Sequence, residues 1–161
     1  MFIGIYSVGG TIDKVYYDQL DDYEIGEPKV GEILEEAGVD FAFRVHSLMK
    51  KDSLDMTEED RHRIHRRIRN DPNPLILVTH GTDSMVDTAR RLSDIPAKTI
   101  VLTGAMQPAR FKASDAVFNV GFAAAAVQTL PPGVYIAMNG RIFDPDQVRK
   151  NRATKRFEPL P

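Results

Sequence analysis

Leu75-Ile76-Leu77-Val78-Thr79-His80-Gly81-Thr82-Asp83-Ser84 decides how the rest of the chain is read. Four apolar residues run into three hydroxyls, a histidine, a glycine and a carboxylate, and helical spacing begins at Met85. A strand covered on both faces of a parallel sheet is continuously apolar in this way, so the stretch predicts a buried strand of an α/β fold. Ligands in such folds sit outside the carboxyl ends of the strands, where Thr79 to Ser84 falls. Gly81 allows a tight turn and leaves amide groups bare for a ligand oxygen. The competing reading is that Asp83 or Ser84 merely caps the next helix.

Composition places no special demand on the fold. With 161 residues, 42% hydrophobic and 27% charged, the chain reads as one globular domain spanning residues 1–161. Such a domain buries roughly 70% of its unfolded surface. A formal net charge of −2 gives no electrostatic argument for nucleic acid or an acidic membrane. The absence of cysteine excludes disulfides, thiolate metal sites and a cysteine nucleophile. No leader pattern precedes Phe2 and no apolar run reaches membrane-span length, so the cytoplasm is the expected compartment.

Working outward, Phe2 to Val8 reads as a first strand entering the glycine turn Gly9-Gly10-Thr11-Ile12-Asp13. Lys14 to Pro28 is polar and aromatic, carries Tyr16, Tyr17 and Tyr23, and has no period of either kind. It is expected to be an irregular loop that acts as a lid. Val30, Ile33, Leu34 and Ala37 have helical spacing, with Gly38 as a C-terminal cap. Phe41 to Leu48 is a second strand, followed by Asp52-Ser53-Leu54-Asp55-Met56 and by a capping box at Thr57-Glu58-Glu59-Asp60. The helix opened there carries five arginines between Arg61 and Arg69 around the buried stripe Ile64 and Ile68. The arginines read as a solvated face rather than a nucleic-acid patch, because no aromatic residues are interleaved.

Beyond the opening stretch, Met85, Ala89 and Leu92 mark a helix and Lys98 to Gly104 a strand ending in Gly104-Ala105-Met106. Ser114 to Leu130 is helical and apolar on most sides, so it is expected to be covered by the domain or by a second copy. Val134 to Met138 is the last strand, ending at Asn139-Gly140, and Arg141 to Pro161 reads as a charged tail. The expectation is a three-layer α/β domain with a mainly parallel, Rossmann- or flavodoxin-like sheet. Its strand ends would bring two threonines, a serine, carboxylates and bare amides into one crevice. Neither cysteine nor clustered histidine is available there, so hydroxyl-nucleophile acyl transfer to water fits better than metal or thiol chemistry.

Gly9-Gly10-Thr11-Ile12, Asp52-Ser53-Leu54-Asp55-Met56, Thr79-His80-Gly81-Thr82-Asp83 and Gly104-Ala105-Met106, in this order, resemble the amino-terminal domain of the bacterial-type L-asparaginases. That family consists of threonine amidohydrolases that convert asparagine to aspartate and ammonia, without metal or cofactor. The resemblance covers Phe2 to about Pro159, and Val148-Arg149-Lys150-Asn151 resembles the segment carrying the family's active-site lysine. It implies that Thr11 is the nucleophile and that Thr82, Asp83 and Lys150 form the Thr-Asp-Lys arrangement. Tyr16 is taken as the loop tyrosine, with Tyr17 and Tyr23 as alternatives because the loop length differs from the usual pattern. Ser53 and Asp83 match positions that hold the substrate's α-carboxylate and α-amino groups, and the Ala105 backbone faces the amide. Gly10, Asp52, Gly81 and Thr82 complete the implied substrate-binding set.

The family has a second, smaller domain, usually contributed to the site by a neighbouring subunit, and it is expected to be absent here, as a natural short form or a truncation. A homo-oligomer, a dimer or tetramer, is expected to cover the Ser114–Leu130 helix and complete the crevice. Two other readings stand beside this one. They are an ammonia-releasing component of a tRNA-dependent amidotransferase, and a weakly catalytic module that binds asparagine or aspartate.

Overall fold

The structure, a computed structural model, describes residues 1–161. Its elements run β1 (Phe2–Gly9), β2 (Lys14–Tyr17), β3 (Asp22–Ile25), α1 (Val30–Glu36), β4 (Ala42–Lys51), α2 (Glu58–Arg69) and β5 (Leu75–Thr79). There follow α3 (Met85–Leu92), β6 (Thr99–Thr103), α4 (Ala116–Thr129), β7 (Gly133–Met138), β8 (Arg141–Phe143), β9 (Val148–Asn151) and β10 (Arg156–Pro159). The main sheet has the order β4-β1-β5-β6-β7-β8, parallel except for β8. The five expected strands thus occur in the flavodoxin-like order, with the switch point between β1 and β5.

Register explains the apolar runs. Ile5, Leu77 and Val101 align across β1, β5 and β6, and Tyr6, Val78 and Leu102 align one residue further on. The first row packs with Val30, Leu34, Val120 and Val127 of α1 and α4, and the second with Ile64, Ile68, Ala89 and Leu92 of α2 and α3. Each central strand is therefore buried on both faces, which leaves no polar alternation to see. Full burial of each such Ile, Leu or Val side chain is worth about 1.5–3 kcal/mol against exposure. The capping box at α2 forms as expected: the Asp60 amide donates to the Thr57 hydroxyl, and the Thr57 amide donates to the Asp60 carboxylate. Gly38, past the end of α1, takes φ +62°.

Three expectations are corrected or refined. Lys14 to Pro28 is not an irregular loop: β2 and β3 pair as a hairpin, Tyr16 opposite Tyr23 and Tyr17 opposite Asp22. Cross-strand aromatic contact stabilises strands too short and too polar to show a period. Arg141 to Pro161 is not a tail either. A tight turn at Asn139 (φ +54°) and Gly140 (φ +71°) folds β8 back on β7, and β9 pairs with β10. Phe143, Val148 and Phe157 anchor this segment in the core beside α3. Finally, α4 buries Ala116, Val120, Ala123 and Val127 on the sheet but turns Val117 and Phe118 outward, 60% and 61% exposed. The Phe118 and half-buried Phe122 rings stack at 6.1 Å.

Candidate active site

The turns after β1, β4 and β5 meet backbone to backbone. A Cβ on Gly10 would lie 2.4 Å from the Gly81 amide nitrogen, and one on Gly81 would lie 2.5 Å from the Ser53 Cβ. Gly10 also takes φ +93° and ψ −178°, a combination open essentially only to glycine. This contact places Thr11, half-buried on the residue after Gly10, beside the turn that carries Thr82 and Asp83. Gly104 closes the third side, since a Cβ there would fall 2.3 Å from the His80 carbonyl oxygen.

Lys150, on β9, reaches this crevice from far along the chain. Its ammonium donates to the Thr82 hydroxyl and to Asp83 Oδ1, both at 2.7 Å. Arg152 adds a second cation to the same carboxylate oxygen, Nε to Oδ1 at 3.2 Å. The Asp83 amide donates to the Ser53 hydroxyl at 3.1 Å, and the Ser84 hydroxyl donates to the Ser53 carbonyl at 2.5 Å. Neither Asp83 nor Ser84 caps α3 through its side chain, so the capping reading does not hold. The Gly81 and Thr82 amides take no backbone partner.

Asp52 caps the short turn that carries Ser53, accepting from the Leu54 amide, and faces Lys14 at 3.3 Å. Burial pushes its carboxyl up, but the Leu54 amide and the Lys14 ammonium outweigh this and hold it below the ordinary range. The turn at Ala105 is fixed from α4's first turn: Asp115 accepts from the Met106 and Gln107 amides, and Asn119 donates to the Gly104 carbonyl. Asp115, Asn119, Lys14 and Arg152 escaped the sequence reading. They act through hydrogen bonds or ion pairs between segments separated along the chain, which leave no local pattern.

The tyrosines lie in the hairpin, and none is hydrogen-bonded to Thr11. Tyr16, exposed, donates its hydroxyl to Asp21 at the hairpin's tip, and this bond raises its pKa above the ordinary value. Its ring meets Tyr23 edge-on at 5.3 Å, and Tyr23 meets Phe111 at 6.0 Å, so the hairpin leans on the 108–115 loop.

Two buried titratable groups underlie the crevice. His80 is enclosed, and burial lowers its pKa to about 4, so the ring is neutral. A carbonyl can only accept, so Nδ1 donates to the Gly81 carbonyl (2.7 Å) and Nε2 accepts from the Thr88 hydroxyl (2.8 Å). The ring thereby splints the Gly81 turn to α3. Asp13 is also enclosed, and burial raises its carboxyl to about 6. No group of three His, Asp or Glu side chains is arranged to hold a metal ion, and no helix is long and apolar enough to cross a membrane.

A three-layer α/β fold whose switch point joins one threonine turn to a second threonine held by lysine and aspartate defines the class of protein. The chain belongs to the asparaginase family, whose amino-terminal domain model, "Asparaginase, N-terminal", matches residues 3–158. It is similar to a probable periplasmic L-asparaginase of Haemophilus influenzae, 37% identical over 84 residues, 48% of this chain and 24% of that one. It is also similar to a component of the glutamyl-tRNA(Gln) amidotransferase of Methanococcus vannielii, 39% identical over 74 residues, 43% of this chain and 17% of that one. The solved thermostable L-asparaginase of Thermococcus kodakarensis superposes with a TM-score of 0.87 at 26% identity, covering 99% of this chain and 51% of that one. The chain thus spans about half the length of that structure, and the matched stretches are smaller parts of the curated relatives.

Proposed function

We propose that this chain hydrolyses L-asparagine to L-aspartate and ammonia through an acyl-threonine intermediate on Thr11. The observation that carries the reading is the Lys150 ammonium bonded to both the Thr82 hydroxyl and Asp83, beside the turn bearing Thr11. An unassisted threonine hydroxyl is a weak nucleophile and needs a proton acceptor within reach. In this reading the Lys150 ammonium first passes one proton to Asp83, and the amine so freed takes the Thr82 proton as Thr82 takes that of Thr11. Thr11 Oγ attacks the carboxamide carbon, and the proton on Lys150 returns to the leaving nitrogen as the C–N bond breaks and ammonia departs. The Lys150–Thr82 hydrogen bond, in which Lys150 donates at rest, reverses when Lys150 is the neutral amine. In this reading the Gly81 and Thr82 amides, which take no backbone partner, receive the oxyanion, at about 3 kcal/mol per donor. Water then releases aspartate from Thr11.

In the same reading Ser53 and Asp83 hold the substrate's α-carboxylate and α-ammonium groups, with Gly10, Asp52 and the Ala105 backbone around them. No cofactor is required. The Methanococcus relative supports, as the second reading, release of ammonia for a tRNA-dependent amidation. Ammonia release from L-asparagine, L-glutamine and their D-forms tests the assignment, with L-asparagine expected fastest. No release from any of the four would refute it.

The hairpin is the proposed lid, with Tyr16 reaching Thr11 once it lets go of Asp21. Tyr16→Phe is expected to lower turnover at least about tenfold more than Tyr17→Phe or Tyr23→Phe. A larger loss at Tyr23, its cross-strand partner, would transfer the role to Tyr23. The outward strip Val117, Phe118 and Phe122 is the proposed seat of a second copy in a two-fold pair. Light scattering is expected to show a dimer or tetramer that Phe118→Asp dissociates, and a wild-type monomer would sink this assembly. The cytoplasm is the proposed setting, a reading supported by the likeness to a solved probable cytoplasmic L-asparaginase of Campylobacter jejuni.

A further inference from the structure

Asp13 lies two residues beyond Thr11 and is 1% exposed, yet the proposed chemistry gives it no task. Every polar group it has is engaged. Its amide donates to the Gly10 carbonyl (3.1 Å), and its own carbonyl accepts from the Gly26 amide (2.8 Å). Its carboxylate takes the Ser7 hydroxyl on Oδ2 and the Lys29 amide on Oδ1, both at 2.9 Å. These four bonds join the end of β1, the glycine turn, the exit of the β2–β3 hairpin and the start of α1. The hairpin is thus fastened at both ends: Lys14, its first residue, follows Asp13 covalently and faces Asp52, while Gly26 and Lys29 beyond it are tied back to Asp13.

A buried carboxylate held by one hydroxyl and one backbone amide costs desolvation that a glycine or alanine would avoid. An apolar residue here would leave the Lys29 amide without its partner, and the hairpin's return arm would lose its tie to the turn. We propose that Asp13 is a positioning residue that locks the base of the hairpin to the turn carrying Thr11, so that the lid closes in one register over the nucleophile. The role in turnover rests on the amidohydrolase reading; the lock itself does not.

The test compares the full chain with D13A and D13N. Asparagine keeps an acceptor for the Lys29 amide, and its own amide can donate to the Ser7 oxygen, so it replaces both bonds without the charge. Chymotrypsin cleavage after Tyr16, Tyr17 and Tyr23 reads hairpin opening directly, and cleavage at Tyr135 reads the sheet. D13A is expected to speed hairpin cleavage at least about tenfold with cleavage at Tyr135 unchanged, and D13N is expected to restore protection. On asparagine, D13A is expected to lower kcat at least about tenfold with a smaller change in KM, D13N again restoring it. Wild-type hairpin cleavage in D13A, or cleavage that rises equally at Tyr135, would overturn the lock. If D13A does not fold, Ser7→Ala removes only the Oδ2 bond and carries the same comparison. A wild-type chain that releases ammonia from none of the four amides but keeps the cleavage contrast would refute the amidohydrolase reading and leave the lock standing.

Discussion

Thr11→Ala is expected to reduce asparagine turnover at least about a thousandfold, because no acyl-enzyme can form without the hydroxyl. The urea midpoint should stay near wild type, since Thr11 is half-buried and the turn is held by Gly10 and Asp13. Thr82→Val is expected to match that loss. Valine keeps the shape but removes the oxygen that accepts from Lys150, so the proton route is cut between the two turns. The forfeited hydrogen bond should cost about 1 kcal/mol of stability, far less than the catalytic effect. Turnover measured with the unfolding midpoint separates the two. Either variant hydrolysing asparagine near the wild-type rate would remove that threonine from the mechanism.

Gly10→Ala is expected to damage fold and site together. The Gly10 backbone sits where a side chain costs about 1–3 kcal/mol in conformation alone. The added carbon would also fall 2.4 Å from the Gly81 nitrogen, a backbone atom that cannot swing aside. Overpacking of that kind adds about 1–3 kcal/mol, for a combined loss of about 2–6 kcal/mol. At this chain length the melting temperature should fall by roughly 10 °C, measurable by circular dichroism. Residual activity should drop further than the folded fraction, since relieving the clash separates Thr11 from Thr82. A wild-type melting temperature would mean that the two turns are not in backbone contact.

The α/β architecture was legible because strands buried on both faces announce themselves. Leu75 to Val78 and Ile100 to Leu102 can lie nowhere but inside a sheet, and the ordered motifs at their ends led to the family. The β2–β3 hairpin was not legible, since its four-residue strands are held by Tyr16 against Tyr23 and by a turn at Asp21, φ +49°. The segment after Asn139-Gly140 did carry a signal. An Asn-Gly pair after an apolar strand favours a two-residue hairpin, and Ile142 and Phe143 follow it. Within the site, Lys150 could be matched by motif, but its contacts with Thr82 and Asp83 depend on β9 packing beside α3. Tertiary placement of that kind has no local trace. The same holds for Arg152, whose partner lies some seventy positions earlier.

The backbone seam between the Gly10 and Gly81 turns also bears on how the protein is made. β1 is synthesised before both of its neighbours, so one of its edges stays open until β4 arrives and the other until β5 arrives. Closing such long loops costs entropy before any native contact repays it, so the central strand pairs late. Lys150 comes later still, on β9. A growing polypeptide therefore carries Thr11 long before Lys150 reaches Thr82 and Asp83. On the proposed mechanism, turnover is withheld from every chain on which β9 has not yet docked, and its appearance marks a late step of folding.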